Sequence, residues 1–71
     1  MKIVDGKQIA NNIKAERNRA GIVIEEVCKE LDISRPTYIS YEKDASGIKT
    51  AFLIKLAELF QCDINMFFYT K

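Results

Sequence analysis

Residues 34–43 contain several side chains that can bind an anion or form hydrogen bonds with the polar edge of a planar ring. Arg35 carries a guanidinium fork that fits the O6/N7 edge of guanine, a contact that provides about 1–3 kcal/mol of discrimination between bases. Thr37 and Ser40 each offer a hydroxyl, and Lys43 carries an ammonium group whose reach and charge suit a phosphate. These residue types indicate binding to a polar, anionic surface rather than the making or breaking of bonds.

Catalytic and metal-binding chemistry lack the residues that they need. The chain has no histidine, so Ser34 or Ser40 as a nucleophile would have no base to activate it. Cys28 and Cys62 lack the paired spacing of a zinc site, and we interpret both as small buried apolar residues rather than redox groups. We therefore predict no enzymatic activity, no metal site and no cofactor.

The composition is typical of one small globular domain. The 71 residues are 48% hydrophobic and 30% charged, as in folded rather than disordered chains, and residues 1–71 are interpreted as a single domain. No apolar run approaches the ~20 residues that a membrane-spanning helix needs. Met1–Asp5 becomes charged too early for a signal peptide, so we expect a cytoplasmic protein without membrane contact. The net charge of +1 is compatible with nucleic-acid binding and does not establish it.

The first helix is predicted over Gly6–Ala20 from the residues at its two ends. Asp5 is a suitable N-cap, and Gln8 three residues later completes a capping-box pattern. Gly21 then provides the left-handed stop that commonly ends a helix.

The second and third helices are predicted on either side of a tight turn. The second covers Ile24–Leu31, although Val23 has no side-chain oxygen with which to cap it. Ser34 caps the third helix, and Pro36 lies in its first turn, where a missing N–H costs nothing. The third helix ends at Glu42.

Two further helices complete a predicted all-α fold. Thr50 is expected to cap a fourth helix over Ala51–Phe60, and Asp63 a last short helix over Ile64–Phe68. Strand signals are poor throughout. Five short helices with brief connections predict a compact all-α domain.

The stretch from Gly21 to Glu42 reads G-I-V-I-E-E-V-C-K-E-L-D-I-S-R-P-T-Y-I-S-Y-E. It resembles the Cro and phage-repressor (Xre-type) helix-turn-helix family, whose members often read G-L-T-Q-x-x-L-A-x-x-L-G-I-S-x-x-x-I-S-x-x-E. This stretch matches without a gap, and residues 55–57 and 59–65 continue the match at the usual distance from Glu42. The resemblance implies a five-helix lambda-repressor-like domain with its helix-turn-helix at about residues 24–42. It also implies that the helix over residues 35–42 reads the major groove of double-stranded DNA.

The expected DNA contacts fall into two groups. The groove-facing residues are Arg35, Pro36, Thr37, Ile39, Ser40 and Lys43, and weaker phosphate contacts fall to Lys14, Arg19 and Lys49. Arg35 either contacts a base or remains a phosphate-binding or solvated arginine, because phosphate bonds outnumber base bonds in such interfaces. Ile39 is expected to be exposed, against a thymine methyl, against a protein partner, or simply as a scattered apolar surface residue.

Two departures from the family pattern alter the expected phosphate contacts. Val23 and Ile24 replace the Thr that caps the second helix and the Gln that touches a phosphate, and they can do neither. The phosphate contacts are therefore expected mainly from the first helix and from the loop after Glu42.

The resemblance also implies a structural ion pair, and the aromatic tail suggests a dimer. Arg17 and Glu42 occupy positions that often pair, so we expect a partly buried ion pair that fixes the third helix. Three consecutive aromatic residues end the last helix, and they cannot all face inward. Phe68 and Tyr69 are therefore assigned to the interface of a homodimer, which would suit a two-fold operator.

Two classes of function remain open. The first is a sequence-specific DNA-binding transcriptional regulator, with repression expected and no small-molecule ligand. The alternative is a protein-interaction module on the same fold, antitoxin-like or antirepressor-like, in which Ile24, Ile39 and the aromatic tail bind protein. Salt-dependent DNA binding would distinguish the first class from the second.

Overall fold

Four α-helices and one 3₁₀ helix follow one another through residues 4–70, which are the residues that the computed structural model describes. The elements are α1 (Gly6–Ala20), α2 (Ile24–Leu31), α3 (Arg35–Tyr41), α4 (Thr50–Phe60) and a 3₁₀ segment (Ile64–Phe68). Met1–Ile3, which contributed to the prediction that there is no signal peptide, and Lys71 lie outside the described residues. Within the described range, no helix is both long enough and apolar enough to cross a membrane.

Helix α1 has the predicted ends but only half of the predicted capping box. The Asp5 carboxylate accepts a hydrogen bond from the Gln8 backbone N–H at 2.8 Å. The Gln8 side chain does not return to Asp5; its Nε2 donates to Asn12 Oδ1 at 3.0 Å. At the other end Gly21 is left-handed, with φ of 72°, and so ends the helix.

The start of α4 corrects the expectation for Thr50. Lys49 is the capping residue, Thr50 is the first residue inside the helix, and no side chain caps the N-terminus. Lys49 caps through its backbone alone, since its carbonyl accepts from the N–H groups of Phe52 and Leu53 at 2.9 and 3.2 Å. The helix therefore forms without a side-chain cap and depends on the burial of its apolar face.

The predicted fifth α-helix is a 3₁₀ helix of five residues. Its hydrogen bonds span three residues, as in the bond from Met66 N to Asp63 O at 2.9 Å. Asp63 caps it as predicted, because its carboxylate accepts from the Asn65 N–H at 2.9 Å. Five residues allow little α-helical bonding, which favours the tighter 3₁₀ turn in so short a segment.

The core draws on every helix and on the loop before α4. Its buried hydrophobic residues are Ala10, Ile13, Val27, Leu31, Tyr38, Ala45, Leu53, Leu56, Ala57, Phe60 and Phe67. Phe60 and Phe67 meet edge to face, with ring centroids 6.3 Å apart, and so join α4 to the 3₁₀ segment. Tyr38 is fully buried, whereas Tyr41 is only partly buried and packs against Phe52. This core is the support on which α3 is held.

Gly6 packs directly against the loop that connects α3 to α4. Its carbonyl accepts a hydrogen bond from the Ala45 N–H at 2.9 Å. A Cβ at this position would lie 2.6 Å from the Ser46 nitrogen and would also meet the Ser46 hydroxyl and the Asp44 carboxylate. The backbone nitrogen can move away only by disturbing the bond to Ala45. The first turn of α1 therefore requires a residue without a side chain.

We predict that Gly6→Ala lowers the free energy of unfolding by about 1–3 kcal/mol, as expected for overpacking. Alanine in a helix would otherwise raise it by about 0.5–1 kcal/mol, so the sign itself tests the contact. Urea unfolding measures the change. Gly47→Ala is the matched control, because no atom lies within 4 Å of the Cβ position at Gly47. Equal stability of the two variants would contradict the prediction.

Candidate nucleic-acid interface

Helices α2 and α3 meet across the turn of residues 32–34. Asp32 ends α2 in a left-handed conformation with φ of 55°, and the Ile33 N–H donates to the Cys28 carbonyl at 3.1 Å. Ile33 is partly buried against the core, and the Ser34 hydroxyl accepts from the Thr37 N–H at 3.3 Å to cap α3. This turn leaves Arg35 and Pro36 exposed at the first turn of α3.

Arg35 is paired with an acidic residue of α2. Its Nη1 donates to Oε1 of Glu25, and both side chains are more than half exposed. The pKa of the Glu25 carboxyl is lowered, first by a hydrogen bond from its own backbone N–H and then by the charge of Arg35. Arg35 is therefore held at the surface of the helix-turn-helix rather than moving freely in solvent.

The other predicted groove residues differ in exposure. Ser40 and Lys43 are exposed, whereas Thr37 and Ile39 are partly buried, so the expectation of an exposed Ile39 is met only in part. The Thr37 hydroxyl pairs with that of Ser34 at 2.8 Å. The Ser40 hydroxyl donates to the Thr37 carbonyl at 2.6 Å and keeps its lone pairs free to accept.

An ion pair between Arg17 of α1 and Glu42 holds the end of α3. Arg17 Nε lies 2.7 Å from Glu42 Oε2, and Nη2 donates to Oε1 at 3.3 Å, which makes the contact bidentate. The remaining Nη1 donates to the Ile22 carbonyl at 3.0 Å. The side chains are only 12% and 8% exposed. The pKa of Arg17 is raised, because the hydrogen bond to Glu42 outweighs the effect of burial.

Tyr38 is buried beside this ion pair. Its hydroxyl has no hydrogen-bond partner among the described residues. Burial raises the pKa of this hydroxyl well above its usual range, and the nearby Glu42 carboxylate raises it further. Tyr38 therefore stays neutral and contributes its ring to the core beneath α3.

Comparison with known proteins places this arrangement in a family. The sequence model of the helix-turn-helix family matches residues 13–67, from the middle of α1 to the 3₁₀ segment. The chain belongs to the Cro/Xre-type helix-turn-helix family. No curated protein and no solved structure matches the chain. Family membership supports a DNA-binding regulator on an all-helical fold.

The three residues assigned to weaker phosphate contacts differ in what holds them. Lys14 and Lys49 are exposed, and no salt bridge between described residues involves either. Arg19 instead binds two groups of the domain itself: its Nε donates to Glu16 at 2.8 Å and its Nη2 to the Phe60 carbonyl at 3.0 Å. Arg19 therefore holds the end of α4, and a phosphate would have to compete with these bonds.

The three aromatic residues of the tail, Phe67 to Tyr69, differ in burial. Phe67 is fully buried, whereas Phe68 and Tyr69 are 41% and 56% exposed. Asn12 fixes the backbone here, because its Nδ2 donates to the carbonyls of Phe67 and Tyr69 at 2.9 and 2.8 Å. The two aromatic side chains assigned to a dimer interface are therefore presented from an anchored backbone.

Sequence reasoning did not identify two residues of this region, Glu25 and Asn12. Glu25 is an acidic residue in the first turn of α2, and its pairing with Arg35 depends on the angle between two helices. A weak signal existed, because Val23 leaves that helix end without a cap and an adjacent carboxylate can substitute. Asn12 has no local signal, since the carbonyls that it binds are 55 and 57 residues away.

We predict that Arg17→Met lowers the free energy of unfolding by about 3 kcal/mol, because it leaves the Glu42 carboxylate buried without a partner. Arg17→Met combined with Glu42→Met should recover part of the loss, since no unpaired charge then remains. Lys14→Met removes the same charge from an exposed position on α1 and should change stability little. Urea unfolding of the four proteins would contradict the role of the ion pair if Arg17→Met behaved like Lys14→Met.

Proposed function

We propose that this chain is a sequence-specific DNA-binding repressor that places α3 in the major groove. The observation that carries the proposal is the exposed first turn of α3, with Arg35 at its start and the other end of the helix bound to α1 through Glu42. A helix that is fixed to the body of the domain and exposed along its N-terminal turn can present side chains to base edges. Occupation of a promoter by such a domain suffices for repression.

The proposed DNA contacts follow the exposure of the side chains. Arg35 donates to guanine, and Ser40 accepts from an exocyclic amino group. The remaining groove contacts are van der Waals contacts from Pro36, Thr37 and Ile39. Lys43, just past α3, binds a phosphate, and Lys14 and Lys49 bind more distant phosphates. Arg19 also binds a phosphate, in competition with its hydrogen bonds to Glu16 and to the Phe60 carbonyl.

A homodimer is the second part of the proposal. Met66, Phe68 and Tyr69 are exposed apolar or aromatic residues within four positions of one another, and Asn12 anchors the backbone that carries the last two. Exposed clusters of this kind are common at interfaces between proteins. Two copies related by a two-fold axis would read half-sites about 34–36 Å apart, which is one turn of the DNA helix.

The alternative, a protein-interaction module, is supported by one observation. Val23 at the start of α2 is exposed, at the place where the family pattern has a polar residue. With Ile24 beside it, this end of α2 offers an apolar surface that cannot donate a side-chain hydrogen bond to a phosphate. Binding to a protein surface would use these residues, whereas DNA binding would use Arg35 and Lys43.

We predict that the protein selects a defined site from a random double-stranded DNA library, and that Arg35→Ala and Lys43→Ala then fail in different ways. Arg35→Ala should lose about 1–3 kcal/mol of preference at one base pair. Lys43→Ala should weaken binding to all DNA sequences equally. It should also reduce the slope of affinity against salt concentration by about the amount due to one phosphate contact. Fluorescence anisotropy at several salt concentrations measures both effects.

Lys55→Ala, at an exposed position of α4, is the control and should leave the affinity almost unchanged. The absence of DNA binding even at low salt would overturn the proposed function and favour the protein-interaction module. If Arg35→Ala weakened binding to every DNA sequence equally, base reading by Arg35 would be overturned.

We predict that the protein sediments as a dimer at micromolar concentration, and that replacing both Phe68 and Tyr69 by serine raises the dimer dissociation constant at least about tenfold, a loss of about 1.4 kcal/mol. Ile54→Ser is the matched control, because Ile54 is an exposed apolar residue of α4 outside the tail. Sedimentation equilibrium measures both constants. A monomer at high micromolar concentration would contradict the dimer, and a larger effect from Ile54→Ser would place the interface on α4.

A further inference from the structure

The first turn of α2 contains a carboxylate that contacts the first residue of α3. Val23 provides no side-chain cap to α2, and Glu25 lies in the turn that follows. The Oε1 atom of Glu25 accepts a hydrogen bond from Nη1 of Arg35. The carboxylate therefore links the uncapped end of α2 to the first residue of α3.

We propose that Glu25 positions Arg35 for base reading and is thereby a specificity-determining residue of the interface. The inference rests on the proposed function, because it requires Arg35 to contact a base. It adds a residue that touches no DNA in the scheme above and acts through the orientation of its partner.

The geometry of the guanidinium supports this role. Arg35 uses Nη1 for Glu25, while its Nε and Nη2 have no hydrogen-bond partner within residues 4–70. These two N–H groups lie along one edge of the planar guanidinium and point in nearly the same direction, which is the arrangement that binds O6 and N7 of guanine together. An anchored side chain also loses less conformational freedom on binding than one that moves freely.

The charge of Glu25 favours base contact over phosphate contact. The ion pair has no net charge, so Arg35 contributes little to the general attraction between the domain and the phosphate backbone. The pKa of Glu25 is lowered, chiefly by its own backbone and by the charge of Arg35, so the carboxylate remains ionised at neutral pH. A paired Arg35 gains most where a base accepts two directed hydrogen bonds, and this discriminates against sequences that lack such a base.

The test compares Glu25→Ala with Glu26→Ala in the full chain, on the site selected from the random DNA library and on an unrelated duplex. Glu26 is an exposed residue of the same turn, so its replacement removes the same charge without releasing Arg35. Both variants should bind the unrelated duplex several-fold more tightly at low salt, because a negative charge is lost near DNA. Only Glu25→Ala should lose discrimination at the base pair read by Arg35, by about 5- to 150-fold.

A measurement without DNA keeps the inference separate from the proposed function. The pKa of the Glu25 carboxyl, followed by NMR in a pH titration, should rise when Arg35 is replaced by alanine. An unchanged pKa would overturn the pairing on which the inference depends. If Glu25→Ala retained full discrimination while Arg35→Ala lost it, the positioning role would be wrong and the proposed function would stand. If the wild-type protein bound no DNA, both would be overturned.

Discussion

The orientation of α3 depends on the ion pair that joins Arg17 to Glu42. All three nitrogens of the guanidinium donate hydrogen bonds, two to the Glu42 carboxylate and one to the Ile22 carbonyl. One side chain therefore connects α1, the loop before α2 and the end of α3. The neighbouring Tyr38 ring fills the space beneath α3. A helix of seven residues has little stability of its own, so these contacts determine where its exposed turn points.

The limits of the helices were predictable because they are set by residues that act locally. Asp5, Ser34 and Asp63 each cap the helix that follows them, and Gly21 ends α1 in the left-handed conformation. The failures have local causes as well. Thr50 has the chemistry of a cap, but the helix begins at Thr50 itself, and the 3₁₀ segment is too short for sequence periodicity to distinguish it from an α-helix.

The arrangement of the candidate interface was less predictable, because it depends on contacts between distant residues. The pairing of Arg35 with Glu25 requires the crossing of two helices, and the bond of Arg19 to the Phe60 carbonyl requires the packing of α1 against α4. A periodic pattern shows which face of a helix is buried. It does not show which neighbour a charged side chain at the edge of that face will reach.

The Asn12 amide joins the first helix to the C-terminal segment. Its bonds to the carbonyls of Phe67 and Tyr69 span 55 and 57 residues, the largest separations of any side-chain hydrogen bond within residues 4–70. The cost of closing a loop grows with its length, whereas the turn between α2 and α3 is closed by residues that are near in sequence. We therefore expect fluctuations of the native state to release the C-terminal segment first and to expose Phe67 while α2 and α3 remain folded.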